Sequence, residues 1–197
     1  MPNEIATVNH DMNTVFIDKE KFETQTRAAL ALSKSTIVPN MYQGKPENCF
    51  IALNMANRMG LEPLVVMQNL YVVNGKPSWA GQACTMLIKN CGEFCKVRHI
   101  YTGEKETDSW GCYVQAQRIA DKEIVTGAEV TIAIAKKEGW YDKSGSKWKT
   151  MPELMLAYRA SAWFARVYCP EALMGMHMAD EYLDAVPTPQ RMEDVLK

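Results

Sequence analysis

The chain has 197 residues, of which 47% are hydrophobic and 23% charged, enough to bury a real core and too apolar for wholesale disorder. A formal net charge of −1 excludes nucleic-acid binding by bulk charge and leaves only a local concentration of cations to do it. The six cysteines form no C-x-x-C pair and the three histidines stand far apart, so the thiols read as reduced core residues and no metal site is expected.

The opening MPNEIATVNHDMNTV has neither a basic n-region nor an apolar h-region, and no apolar run approaches membrane length, so a cytoplasmic protein is expected. Residues 1–18 read as an N-terminal arm, mobile until something docks it, residues 19–184 as the core and residues 185–197 as a C-terminal tail. A short helix is expected over Lys19–Ser33. In KPENCFIALNMANRMG, Pro46 suits a first helical turn, Gly60 suits a left-handed cap, and Phe50, Leu53 and Ala56 recur at helical spacing. Pro63 then opens a further short turn through Gln68.

LYVVNGKPSWAG places a β-branched run, Asn74-Gly75 and a second short run in succession, a strong local signal for a tight hairpin. Gln82–Asn90 follows as a helix ended by Gly92. CKVRHIYT and WGCYVQAQRI read as two strands, the second alternating in period two, joined through Thr107–Trp110. Ile124–Val130 extends as a further strand, and Thr131 caps a short helix that stops at Gly139. WYDKSGSKWK reads as a loop. Finally, MPELMLAYRASAWFARVYCP is a long helix between Pro152 and Pro170. It is apolar nearly all round, with stripes Leu154/Tyr158/Ser161/Ala165/Tyr168 and Leu156/Ala160/Trp163/Val167 expected to be buried.

The charge is unevenly spread. From Lys136 to Arg166 seven cations face three carboxylates, whereas from Glu171 onward six carboxylates face two cations. On the long helix, Met155, Arg159, Ala162 and Arg166 lie three or four residues apart, lining up both guanidinium groups. A mostly buried helix does not keep unpaired arginines, so these require phosphates or, alternatively, internal carboxylates such as Glu153, Glu62 or Glu171. Beside the helix, Trp140, Tyr141 and Trp148 interleave with Lys143, Lys147 and Lys149, a pattern suited to stacking bases and neutralising phosphates of a single strand. The alternative is an ordinary loop anchored by buried tryptophans. Lys76 and Trp79 repeat the pairing of cation and aromatic near the hairpin tip. Asp180, Glu181 and Asp184 are close enough for a divalent-metal nuclease site, against which stands a solvated helix face. Phosphate-loop, nucleophile-elbow and H-E-x-x-H motifs are missing.

MYQGKPENCFIALNMANRMGLEPLVVMQNLYVVNGKPSWAGQA and SGSKWKTMPELMLAYRASAWFARVYCPEALMG resemble the RecT family of phage and prophage single-strand annealing proteins, related to Red-beta. The resemblance implies an α+β fold: a small antiparallel sheet with a β-hairpin, backed by several helices including one long C-terminal helix. It implies side-by-side assembly of a homo-oligomer, as a ring or helical filament, with single-stranded DNA held by its backbone in a basic groove and paired with a complementary strand without ATP. Carried over to this sequence, Arg159, Arg166, Lys147 and Lys149 would hold phosphates. Lys143 belongs to the same basic loop, Trp148, Trp79 and Lys76 would meet bases or the annealed duplex intermediate, and Tyr42 and Lys45 would line the groove. The resemblance also implies a bacterial host cell and, as partners, a phage exonuclease and the host single-strand binding protein. No enzyme activity, cofactor or dedicated Mg²⁺ site is expected. The rival readings are a metal-dependent DNA nuclease and a replication-accessory oligomer without direct DNA contact.

Overall fold

A computed structural model of the chain describes residues 15–73 and 75–185. Most of the N-terminal arm expected over 1–18, Asn74 of the hairpin turn, and all but the first residue of the tail expected over 185–197 lie outside those residues. The chain divides into two compact units, the first ending at Asn69 and the second beginning at Leu70.

The first unit is helical: α1 (Lys19–Ser33), α2 (Pro46–Met59) and α3 (Pro63–Asn69). Asp18 caps α1, its carboxylate accepting from the Lys21 amide at 3.0 Å. Pro46 opens α2 without forfeiting a helical hydrogen bond, and Gly60 closes it at φ +62°, where a side chain would be strained. The α1–α2 seam is part apolar and part polar. Phe16 and Phe22 pack on Phe50, and buried Gln25 donates to the Phe50 carbonyl while accepting from Asn57.

The second unit carries both sheets. Strands β1 (Leu70–Val73) and β2 (Lys76–Trp79) form the antiparallel hairpin expected from Asn74-Gly75. Strands β3 (Phe94–Thr102), β4 (Gly111–Arg118) and β5 (Ile124–Thr126) form an antiparallel sheet in that order, and β6 (Val130–Thr131) also pairs with β4. Helix α4 (Ala83–Asn90) precedes β3, and α5 (Ile132–Lys137) is capped by the Thr131 hydroxyl, which accepts from the Ile134 amide at 3.2 Å. One helix stands where a loop was expected. Within WYDKSGSKWK, α6 (Lys147–Thr150) forms because the Ser146 hydroxyl accepts from the Trp148 amide and donates to the Trp140 carbonyl, fixing the entry to the turn.

The long helix α7 (Pro152–Tyr168) lies against β4 and α4, with Phe164 edge-on to Phe94 at 5.2 Å. Its interior face is built from small residues, Ala157, Ala160, Ala162 and Ala165, around Leu156 and Phe164. One end of each stripe expected to be buried is instead open: Leu154 is 45% and Val167 67% exposed. After a 3₁₀ turn at Pro170–Leu173, the short strand β7 (His177–Met178) pairs parallel to β2 and leads into α8 (Ala179–Ala185). The fold is thus mixed α+β with small antiparallel sheets and a long C-terminal helix, as the sequence led us to expect.

Candidate nucleic-acid interface

Helix α7 turns Arg159 inward, where the residue is only 3% exposed. Its guanidinium donates through Nη2 to Asp184 of α8 and lies 3.9 Å from the centroid of the Trp140 ring. Such a cation is tolerable only because a carboxylate and an aromatic face replace the lost water. The replacement is incomplete, since the buried Nε has no hydrogen-bond partner. Two turns on, Arg166 is 41% exposed at its side chain and donates to Glu181 Oε2 at 2.6 Å. The same carboxylate accepts from the Met178 amide. Both arginines therefore sit in internal ion pairs, but with Asp184 and Glu181. Of the carboxylates considered from sequence, Glu153 instead pairs with Lys105.

Three more of the expected site residues end on α8. The Trp148 indole N–H donates to Asp184 Oδ2 at 3.1 Å, and Lys143 Nζ donates to the Asp184 carbonyl at 3.4 Å. Lys76 Nζ lies 5.7 Å from the centroid of the Tyr182 ring. A β-hairpin, a loop, α6 and α7 thus deliver five of the ten expected residues to one short acidic helix. The basic and acidic halves seen in the sequence are folded onto one another. Neither Glu181 nor Asp184 is on a solvated face, their side chains being only 12% and 11% exposed.

Asp180, on the same helix, has both carboxylate oxygens buried without hydrogen-bond partners. Burial pushes its pKa up to about 6, and neighbouring Glu181 and Asp184 add to the rise against the opposing pull of Arg159. A Cβ at Gly81 would lie 2.6 Å from Asp180 Oδ1 and 3.1 Å from the Tyr158 ring, so only glycine lets the chain pass over this carboxylate.

Lys147 and Lys149 remain on the outside of α6, where with Lys143, Ser144 and Ser146 they line a recess of about 430 Å³. Lys149 is 3.1 Å from Asp142 in an exposed pair, which a phosphate can displace at little cost. The aromatic candidates fall elsewhere. Trp148 and Trp79 are fully buried, with the Trp79 indole donating to the Leu173 carbonyl, and Tyr42 is 1% exposed. Neither tryptophan offers a face to a base, which corrects the base contacts expected of them, and the enclosed Tyr42 ring does not line an open groove as expected. The Tyr42 hydroxyl has no partner, and burial raises its pKa to about 12. Lys45, in the first unit, is exposed.

Residues 23–194 match the RecT family profile. The chain belongs to the RecT family. It is a phage-type recombination and annealing protein. No curated protein and no solved structure matches it.

In this RecT-family protein the acidic run on α8 is engaged within the fold. Asp184 is committed to Arg159 and Trp148, Glu181 to Arg166 and the Met178 amide, and Asp180 is sealed under Gly81. Among the described residues no group of three His, Cys, Asp or Glu side chains is arranged to hold a metal ion. Among those residues, too, no helix is long and apolar enough to cross a membrane. Sequence reasoning missed the inward-facing role of α8. The signal was there, because six carboxylates following a basic stretch complement it in charge, but charge order alone does not say whether two segments meet. A second polar cluster also went unnoticed: His99 Nε2 lies 2.8 Å from the buried Ser161 hydroxyl, which is 3.1 Å from Thr85 Oγ1. Burial lowers the His99 pKa. Ser161 is fully enclosed in the middle of α7, so the cluster ties α7 to β3 and α4 rather than presenting a nucleophile.

Proposed function

We propose that this RecT-family protein binds single-stranded DNA by its backbone and anneals it to a complementary strand without ATP, working as a homo-oligomer that repeats one basic groove. The observation that carries the reading is the convergence of Lys76, Lys143, Trp148, Arg159 and Arg166 around a single anionic segment, beside exposed Lys147 and Lys149. Cations gathered from four elements at one place form a binding locus for a polyanion, and their backbone-directed chemistry is indifferent to base identity. Near-neutral total charge is compatible with this, since it is the local field that a strand meets. Base pairing supplies the energy of annealing, and the protein supplies alignment and charge neutralisation.

Lys147 and Lys149 are the first phosphate contacts in this reading because they are already exposed. Lys45 and Lys76 are further candidates. Arg159 and Arg166 reach a phosphate only where α8 yields its place. A phage exonuclease and the host single-strand binding protein are proposed partners.

The deciding experiment is annealing of two complementary oligonucleotides without ATP, with binding measured across a salt series for the wild type and Lys147→Ala/Lys149→Ala. The double variant should anneal more slowly, and its log–log salt slope should fall by about 1.4, the release expected from two single-strand phosphate contacts. A folded double variant that keeps the wild-type slope would remove these lysines from the site. Absence of any oligonucleotide binding by the wild type at low salt would instead favour an accessory oligomer.

A further inference from the structure

Two unused polar groups are buried at the α7–α8 contact. Arg159 is almost wholly enclosed, yet its Nε donor is unsatisfied, and Asp180 contributes two unsatisfied acceptor oxygens. Buried polar groups in folded proteins are nearly always hydrogen-bonded, so α8 fills this locus without matching it well. Arg159 gives Asp184 one arm of a fork that is built to donate two parallel hydrogen bonds to a carboxylate or phosphate. Arg166 gives Glu181 a single donor as well and stays 41% exposed. Helix α8 itself is seven residues long, and ion pairs and hydrogen bonds to Arg159, Arg166, Lys143 and Trp148 tie it to the rest of its unit, with Lys76 lying over the Tyr182 ring.

We propose that α8 is a displaceable anionic cover: Glu181 and Asp184 occupy the positions that strand phosphates take on Arg159 and Arg166, and α8 leaves them when single-stranded DNA binds. The proposal rests on the single-strand reading above and deepens it. DNA first meets exposed Lys147 and Lys149 at the edge of the locus, then exchanges phosphates for the two α8 carboxylates. Ion pairs are replaced by ion pairs, so the exchange leaves no buried guanidinium unpaired. The Nε of Arg159 gains the acceptor that it lacks beneath α8, and the Asp180 carboxylate gains water. The internal pairing also keeps the locus from holding other anions until a polymer with several phosphates competes for it.

The test uses the full chain and a thymidine oligonucleotide of thirty residues. Hydrogen–deuterium exchange of the wild type should show lower protection over 179–185 when the oligonucleotide is added, while peptides from β3 and β4 keep theirs. In parallel, Glu181→Gln and Asp184→Asn should each bind the oligonucleotide more tightly, by roughly tenfold, toward the low end of the coupling usual between linked binding events. Oligonucleotide binding with unchanged or increased protection over 179–185 overturns the proposal, whatever the variants do. So does equal or weaker binding by folded Glu181→Gln, whose ion pair is half open to solvent and whose loss leaves the core intact. If the wild type and both variants fail to bind at low salt, the single-strand reading itself falls. Binding that depends on Lys147 and Lys149 without any response of α8 leaves that reading standing and removes only the cover.

Discussion

Replacing Asp180 with Asn separates the cost of a buried charge from everything else that titrates in this protein. The Asp180 carboxyl holds its proton to about 6 in the folded chain against an ordinary 3.8, chiefly because of burial. That difference corresponds to about 3 kcal/mol between the protonated and ionised forms. The sign follows from the direction. The folded state binds this proton more tightly than the unfolded state, so the contribution is fully present below pH 4, declines as pH rises through 6, and is gone above 7. The groups facing Asp180 are Arg159 of α7, which opposes the rise, and Glu181 and Asp184 of α8, which reinforce it. The Cys84 thiol on α4 is raised mainly by its burial, with Glu181 and then Asp180 adding to the rise. Asparagine keeps the shape and removes the charge. Urea denaturation of both proteins at half-unit steps from pH 4 to 8 should show the wild type losing up to about 3 kcal/mol relative to Asp180→Asn across that range. If the two proteins keep parallel pH profiles, Asp180 is not a buried ionising group in the folded chain, and the reasoning about an imperfectly matched α8 loses one of its two supports.

Arg159→Ala should destabilise the fold by about 3–5 kcal/mol, because it strands the Asp184 carboxylate in a largely enclosed position. Arg159→Lys should recover less than half of that, since an ammonium cannot lie flat on Trp140 while reaching Asp184; chemical denaturation of both variants checks the order. Trp148→Phe keeps an aromatic ring but deletes the indole donor to Asp184 and leaves a void in a fully buried position, and should cost about 2–4 kcal/mol by the same measurement. Gly103→Ala should be far worse than an ordinary surface change. Gly103 has φ +68°, and a Cβ there would overlap the Ser109 carbonyl across the β3–β4 connection, so loss of soluble protein or a large fall in melting temperature is expected.

Local structure was legible wherever backbone chemistry decides it. Thr131 at an N-cap, Pro46 and Pro152 in first turns, Gly60 at a left-handed cap and Asn74-Gly75 after a β-branched run each act within four residues, and each of these expected elements appears. The α6 turn was not legible, because it depends on Ser146 bonding to both Trp140 and Trp148 across a loop whose composition signals only irregularity. Aromatic residues were misread for a related reason. Trp148 lies between two lysines, and Trp79 and Tyr42 each stand three residues from one, but a cation nearby in the chain says nothing about which side of the fold a ring faces.

The sequence alone determined most of the elements, the family and the set of cations worth following, because propensity, capping and charge spacing are short-range properties that neighbouring residues settle among themselves. Only the tertiary structure decided what those cations touch. Arg159 could have met Glu153 or Asp184, and spacing treats the two alike. Chain folding brings residues 25 and 15 positions apart into hydrogen-bond contact, so that α8 lies over the arginines of α7. Ion pairing falls off within a few ångströms, and that distance is set by the path of the whole chain.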